Sequence, residues 1–422
     1  MGVNSCGTTL IDGGTFKNIG AVSWDTTAKT VGFTAVAGTG YFVNTTSGAI
    51  TVTLPSSPTA GDTVGIADYA NTADTNNITI GRNGSNIQGE AKNFIINTEG
   101  GTIILTYVDA TKGWLSIDAA QASDIVPPAA FITATGGTIT TSGNYKIHTF
   151  TGPGNFTVTQ LGNSPVNPLG GPSNVDYLVV AGGGGGGGGY GCCSFSGGGA
   201  GAGGFRTTFP SPGCNAGDFP ITVTTYPITV GAGGAGFCGV PPPGCAQGAT
   251  GSNSVFSSIT SAGGGGGSIR YAGGNGGSGG GANNFPGSGT GGSGNTPPVS
   301  PPQGNPGAAG PPGGRCSGGG GGASVAGNSN KNGGNGTANS ITGSSVTRAG
   351  GGSAGGWNYA AAGTAGTGGG GTGGSGGAAG GNGTVNTGGG GGGSGPINVA
   401  GQPLRSGGTG GSGIVIIRYK FQ

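Results

Sequence analysis

Between residues 19 and 118 apolar positions alternate with polar ones or gather into short β-branched runs. Ala49-Ile50-Thr51-Val52-Thr53-Leu54, Asp62-Thr63-Val64-Gly65-Ile66, Asn77-Ile78-Thr79-Ile80, Phe94-Ile95-Ile96 and Thr102-Ile103-Ile104-Leu105-Thr106-Tyr107-Val108 follow one another at short spacing, separated by Asn, Gly and Pro clusters. A period of two broken by turn formers predicts strands. No window carries an apolar 3.6-residue period with caps, so the chain reads as all-β, opening with a sandwich or a compact barrel-like meander.

A second β unit begins at Phe131, after Ile125-Val126-Pro127-Pro128, whose prolines stiffen a linker. It runs through Tyr145-Lys146-Ile147-His148-Thr149-Phe150, turns at Gly152-Pro153-Gly154, and ends in Asp176-Tyr177-Leu178-Val179-Val180-Ala181. That strand leads straight into eight glycines, Gly182 to Gly189, and the chain finishes on an equally apolar run, Ile414-Val415-Ile416-Ile417-Arg418-Tyr419-Lys420. Two such strands at either end of a glycine-rich insert are expected to pair and close it. The resulting division is 1–120, a β-rich domain; 121–130, a Pro-containing linker; 131–181, a β unit; 182–412, a glycine-rich region with loops; and 413–422, a closing strand.

Composition sharpens this division. Glycine supplies 113 of 422 residues, and charged residues only 6%, which excludes an ordinary globular enzyme. Residues 1–180 hold six basic and eleven acidic side chains, and 181–422 hold eight and one. So scattered a positive excess gives no nucleic-acid footprint, which would show a dense Lys/Arg stripe. The opening MGVNSCGTTLIDGG has neither a basic nor an apolar signal region, and no stretch is apolar enough to insert in a membrane, so a protein made in a cytoplasm without a signal peptide is expected. Gly at every third position holds only from Gly304 to Gly313, too briefly for a collagen triple helix.

Two resemblances rest on particular residues. The run Gly40-Tyr41-Phe42-Val43-Asn44-Thr45-Thr46-Ser47-Gly48-Ala49-Ile50-Thr51-Val52-Thr53-Leu54-Pro55, with Gly61 to Tyr69 and Tyr107-Val108-Asp109-Ala110-Thr111-Lys112-Gly113-Trp114, resembles a module of virion fibre proteins from tailed phages of aquatic bacteria. The resemblance implies an intertwined homotrimer and attachment to other virion proteins, making 1–120 an attachment and trimerisation domain. Val179-Val180-Ala181 before polyglycine, answered by Gly411-Ser412-Gly413-Ile414-Val415-Ile416-Ile417-Arg418-Tyr419, resembles the glycine-rich domain of phage tail fibres and adhesins. That resemblance implies a bundle of polyglycine II helices.

Composition alone favours a flexible linker, because Gly/Ser-rich chains bury too little to offset ordering. A polyglycine II strand is a threefold extended helix without internal hydrogen bonds, so its N–H and C=O groups must bond outward to neighbours. Only residues without a Cβ let those neighbours approach, which accounts for Gly263 to Gly267, Gly318 to Gly322 and Gly388 to Gly393. Gly265 and Gly320 are expected inside, with Ser278 as an outward-facing comparator. The intervening segments become turns at the bundle ends. Candidate receptor contacts lie there: Tyr190, Phe195, Arg270, Tyr271, Phe285, Trp357 and Tyr359. Trp357 either caps the bundle or projects from it.

Other chemistry is sparse. A single histidine, His148, provides no pair for zinc and reads as structural or superficial. Glycoside cleavage needs two carboxylates facing one sugar, and the glycine-rich region holds only Asp218. With no helix, the many glycine-rich matches to phosphate loops carry no weight, and no cofactor is implied. Cys192, Cys193, Cys214, Cys238, Cys245 and Cys316 could cross-link the bundle tips as disulfides once the protein leaves a reducing cytoplasm. The expected function is therefore a non-enzymatic virion fibre or adhesin, localised to the virion, that grips a host surface polysaccharide or outer-membrane protein. The alternatives are a capsid or tail decorating fibre that touches no receptor, and an ice-binding polyglycine protein, which would need a flatter, more regular array.

Overall fold

The computed structural model describes residues 22–118, 128–165, 169–188, 195–209, 219–237, 247–284, 289–397, 399 and 405–422, and four two-residue strands near the start. Those four form two small hairpins, β1 (Asn4–Ser5) with β2 (Thr8–Thr9) and β3 (Ile11–Asp12) with β4 (Thr15–Phe16). The described residues are all-β, with no helix and no closed barrel. They divide into two compact units, 1–130 with 163–170 and 131–162 with 171–422.

The first unit is a sandwich, built differently from a meander. Its strands are β5 (Ser23–Lys29), β6 (Phe33–Thr34), β7 (Thr39–Val43), β8 (Ile50–Thr53), β9 (Thr63–Asp68), β10 (Ile78–Gly81), β11 (Phe94–Ile96), β12 (Thr102–Asp109) and β13 (Gly113–Ser116). From β5 to β10 the chain crosses from one sheet to the other at each step, so β5, β7 and β9 stack in parallel, as do β6, β8 and β10. Only β11, β12 and β13 pair antiparallel. Alternation within each run marks the strands but cannot reveal this order, because parallel pairing depends on where each connection goes. Val43, Val52, Leu54, Val64, Ile66, Ile78, Ile80, Leu105 and Trp114 fill the space between the sheets. On the opposite face, Trp24 lies over Gly40, where a Cβ would come within 2.6 Å of the indole, and it packs on Phe42 at 5.0 Å.

In the second unit β14 (Thr133–Thr135), β17 (Gly154–Gln160), β21 (Thr225–Thr229), β22 (Ser254–Phe256) and β23 (Ile259–Ser261) form one sheet. The other comprises β15 (Thr138–Ser142), β16 (Tyr145–Phe150), β26 (Ile414–Lys420), β18 (Asn174–Val180) and β19 (Phe205–Thr207), with β20 (Phe219–Pro220) also on β18. The two bracketing strands do pair: β18 and β26 run antiparallel from Asp176↔Arg418 to Val180↔Ile414. Both are buried on both faces. Tyr177, Val179, Val415, Ile417 and Tyr419 meet Phe156 and Phe256, whereas Leu178, Val180, Ile414 and Ile416 meet Ala202, Phe205, Ile341 and Ala349 of the glycine-rich insert. The unbroken apolar stretches Tyr177–Val180 and Ile414–Ile417 follow from this, since a half-exposed strand would alternate.

Beyond β18 the chain stays extended, but its hydrogen bonds rotate. Gly182 and Gly185 donate to Ser252 and Ala249, Gly183 and Gly186 to Gly411 and Gly408, and Gly184 and Gly187 to Gly201 and Gly198. Their carbonyls accept in the same rhythm, from Gly264 and Gly267, from Gly234 and Phe237, and from Gly391 and Ser394. Each neighbour is met at every third residue, as a threefold extended helix requires. The run 182–187 thus sits among six others, giving to three antiparallel neighbours and receiving from three parallel ones. The run 197–203 repeats the pattern, with Gly197, Ala200 and Gly203 donating to Ser394, Gly391 and Gly388. This is the arrangement of a polyglycine II bundle, and its dense backbone hydrogen bonding offsets the entropy of ordering so much glycine.

Close packing explains the glycines. A Cβ at Gly265 would stand 1.9 Å from the Gly274 carbonyl oxygen, and one at Gly320 equally close to that of Ala200. Ser278 overturns its expectation: it is buried, and its hydroxyl has no hydrogen-bond partner. It opens the run 278–282 beside Ala202 and Gly265, so a small side chain is enclosed rather than displayed. At the periphery, where a run lacks a neighbour, asparagine substitutes for one. Asn275, Asn332, Asn335 and Asn382 accept through Oδ1 from the N–H groups of Ser293, Thr364, Thr367 and Thr409. Two short hairpins, β22–β23 and β24–β25 (Thr337–Asn339, Val346–Arg348), each deliver the chain into a buried run, and the segments that lead in through β23 and β25, residues 253–263 and 339–350, are alike in sequence.

Candidate functional site

The runs share two ends. At the end nearest β18 and β26, Ala181 bonds Gly204, Gly204 bonds Ala262 and Gly413 bonds Gly231. At the far end, roughly 20 Å away for seven residues at polyproline rise, Gly187 bonds Gly198, Gly355 bonds Gly197 and Ser196 bonds the Arg315 carbonyl. The turns at 269–272, 311–316, 357–362 and 375–377 all open from this far end.

Of the expected contacts, Arg270, Tyr271, Trp357 and Tyr359 lie in these turns. Tyr190 and Phe285, with Cys192, Cys193, Cys214, Cys238 and Cys245, lie outside the described residues. Phe195 is buried. Cys316 is a half-buried free thiol. The Ser268 hydroxyl accepts from the N–H groups of Arg270 and Tyr271, a tight serine turn that leaves the arginine exposed and the tyrosine 52% exposed.

The turn 357–362 is the most developed. Gly355 and Gly356 are locked into the bundle, and the Asn358 N–H bonds the Pro396 carbonyl. Trp357 is half-buried, with its indole N–H enclosed and unpartnered. The Arg315 guanidinium stacks on its ring, 4.8 Å from the centroid. Asn358 and Tyr359 both take left-handed backbone angles, φ 50° and 70°. For a tyrosine this costs of order 1–2 kcal/mol, and its result is a side chain left 70% exposed. The Lys331 ammonium donates to the Ala361 carbonyl and fixes the other side of the turn. Trp357 therefore caps, whereas Tyr359 projects. Sequence reasoning singled out the aromatic pair but missed Arg315 and Lys331, which come from distant segments; a lone Arg in Pro-Pro-Gly-Gly-Arg was the available signal.

His148 is a core residue. Its Nδ1–H donates to the Gly136 carbonyl, its Nε2 accepts from the Tyr419 hydroxyl, and burial pushes its pKa down. Among the described residues no group of three His, Cys, Asp or Glu could hold a metal, and no helix is long and apolar enough to cross a membrane.

A glycine-rich domain family matches residues 157–420, more than half of the chain, and the protein belongs to that family. No curated protein matches it. The match starts within β17 and ends with β26, so it takes in the bracketing strands as well as the bundle.

Proposed function

We propose that this protein is a virion fibre or adhesin of a tailed phage, in which the bundle holds the far-end turns rigidly against a host cell surface. The observation that carries this reading is the convergence of exposed Tyr271, Tyr359, Arg270 and Arg315 on one end of a scaffold whose backbone is saturated with hydrogen bonds. Binding residues held on a rigid frame lose little entropy on contact, and aromatic and Arg side chains make effective anchors. The reading is one of binding without catalysis, and residues 219–422 contain no Asp or Glu with which to cleave a glycosidic bond.

The first unit would join the fibre to the particle as a homotrimer. Its outward row of Trp24, Phe42 and Tyr69, with Phe42 and Tyr69 at 6.4 Å, offers apolar area for self-association. Labelled full-length protein is expected to bind cells of the infected strain and to block adsorption of the particles. Full-length protein that neither binds nor competes would leave a decorating fibre as the better reading. Light scattering tests the assembly, with a mass of three chains expected at micromolar concentration.

A further inference from the structure

Resting on that adhesive reading, we infer that the far-end surface around Arg315, Trp357, Tyr359 and Lys331 recognises an anionic glycan, one whose repeating unit carries a carboxylate or phosphate. The argument begins with charge. Residues 219–422 contain seven Lys and Arg and no Asp or Glu. Two of the seven arginines and lysines are committed to the fold: Arg348 is buried, and Arg418 lies between the rings of Tyr145 and Phe209, at 4.1 and 4.7 Å. Lys420 sits on the Phe131 ring in the sheet layer. The remaining four, Arg270, Arg315, Arg405 and Lys331, the last with one ammonium hydrogen on the Ala361 carbonyl, belong to segments at the far end of the bundle, where no described carboxylate faces them.

A positive field alone would attract any polyanion. Arg315 adds direction. Its guanidinium is exposed and forms no hydrogen bond to the described residues, while its Cζ lies over the Trp357 ring, 4.8 Å from the centroid. A guanidinium seated over an indole keeps its N–H donors free, and its planar fork takes a carboxylate or phosphate bidentately. Two turn residues further on, Tyr359 stands 70% exposed on a left-handed backbone. An exposed ring in the same turn as the indole that carries an open anion fork suits a sugar, whose C–H face would lie on the aromatic while its charged substituent meets the cation. A protein partner would instead be expected to meet a broader apolar patch, and the described exposed residues between Trp357 and Ala361 are small or polar apart from Tyr359.

The test uses full-length protein with polygalacturonate, which carries carboxylates, and polyribitol phosphate, which carries phosphodiesters, and with neutral dextran and double-stranded DNA as controls. Binding to at least one of the two acidic glycans is expected, weakened about tenfold or more between low and high salt, with dextran and DNA bound at least tenfold more weakly. Arg315→Gln should lose about tenfold in affinity at unchanged melting temperature, with Arg315→Lys between it and the parent, since it keeps charge but not the fork. Equal binding of dextran or DNA, or an unchanged affinity in Arg315→Gln, overturns the inference. Cell binding that persists in Arg315→Gln and at high salt overturns it while leaving the adhesive reading intact. Acidic-glycan binding by protein that does not bind cells sinks the adhesive reading instead.

Discussion

The Tyr419 hydroxyl donates to His148 Nε2 across 3.0 Å, joining two residues 271 positions apart in the chain. Their rings are stacked at 5.5 Å, and Phe156 meets the imidazole edge-on. The contact closes the whole glycine-rich excursion, because β16 and β18 both pair with β26. Burial of the phenol pushes the Tyr419 pKa up to about 12, so it remains a donor at any physiological pH.

This pair makes stability depend on pH. Burial, with Lys146 adding to it, holds the folded pKa of His148 below its ordinary 6.5, against the opposing hydrogen bond to Gly136. Above about pH 6.5 the imidazole is neutral in both states and its contribution is complete. As pH falls below that value the unfolded chain takes up the proton first, so stability declines toward the depressed folded pKa. The melting temperature should fall between pH 7 and pH 5, and the fall should be smaller in His148→Phe. Equal declines in both proteins would remove His148 as the cause.

The bundle makes a second expectation quantitative. Gly265→Val and Gly320→Val each drive a side chain into a backbone carbonyl and force apart a pair of hydrogen-bonded runs. Each should lower stability by about 3 kcal/mol or more. Thr250→Val, at an exposed position of the run beside 182–187, should stay within about 0.5 kcal/mol. Chemical denaturation followed by circular dichroism compares the three, and equal tolerance would argue against close-packed runs.

Much of this was legible in sequence where side chains repeat or carry their own chemistry. Ile414 to Ile417 and Tyr177 to Val180 announce a doubly buried strand pair through their unbroken apolarity, and a Cβ-free run such as Gly388 to Gly393 announces close neighbours. The identity of those neighbours was not legible, since Gly184 carries no mark that its N–H points at Gly201 and its C=O at Gly391. Ser278 was misjudged for a related reason, a serine being small enough for either inside or outside. The parallel stacking of β5, β7 and β9 was hidden because connections, not strands, determine it. The far-end turns were placed by their aromatics, but the stacking of Arg315 on Trp357 joins segments that only the fold brings together.

The peripheral asparagines offer a third test. Asn335 Oδ1 accepts the Thr367 N–H at 3.1 Å where no backbone carbonyl is available. Asn335→Ala should cost only about 0.5–1 kcal/mol overall, because water can replace an exposed bond. The local effect should be clearer: amide exchange at Thr367 should accelerate while exchange at Gly185, donating to Ala249 inside the bundle, is unchanged. Matching acceleration at both amides would mean that the asparagine supports the whole bundle.

The two aromatics of the 357–362 turn should separate stability from binding. Trp357 is half-buried between the bundle and Arg315, so Trp357→Ala removes a ring that covers glycine backbone and leaves the guanidinium unsupported. A loss of about 2–3 kcal/mol is expected, at the lower end of buried aromatic truncations because one face is already covered only by an exposed side chain. Tyr359 contributes little to the core at 70% exposure, and its left-handed backbone is strained whichever side chain it carries. Tyr359→Ala should leave the melting temperature within about a degree or two. Host-cell binding, measured well below either melting temperature, should fall about tenfold or more in Tyr359→Ala if the projecting ring is an anchor. Tyr359→Gly would relieve the backbone strain and still lose the ring, so it should bind as weakly as the alanine variant while melting slightly higher. Undiminished adsorption in both variants would retire Tyr359 as a contact and shift attention to Tyr271, the other half-exposed ring at this end of the bundle.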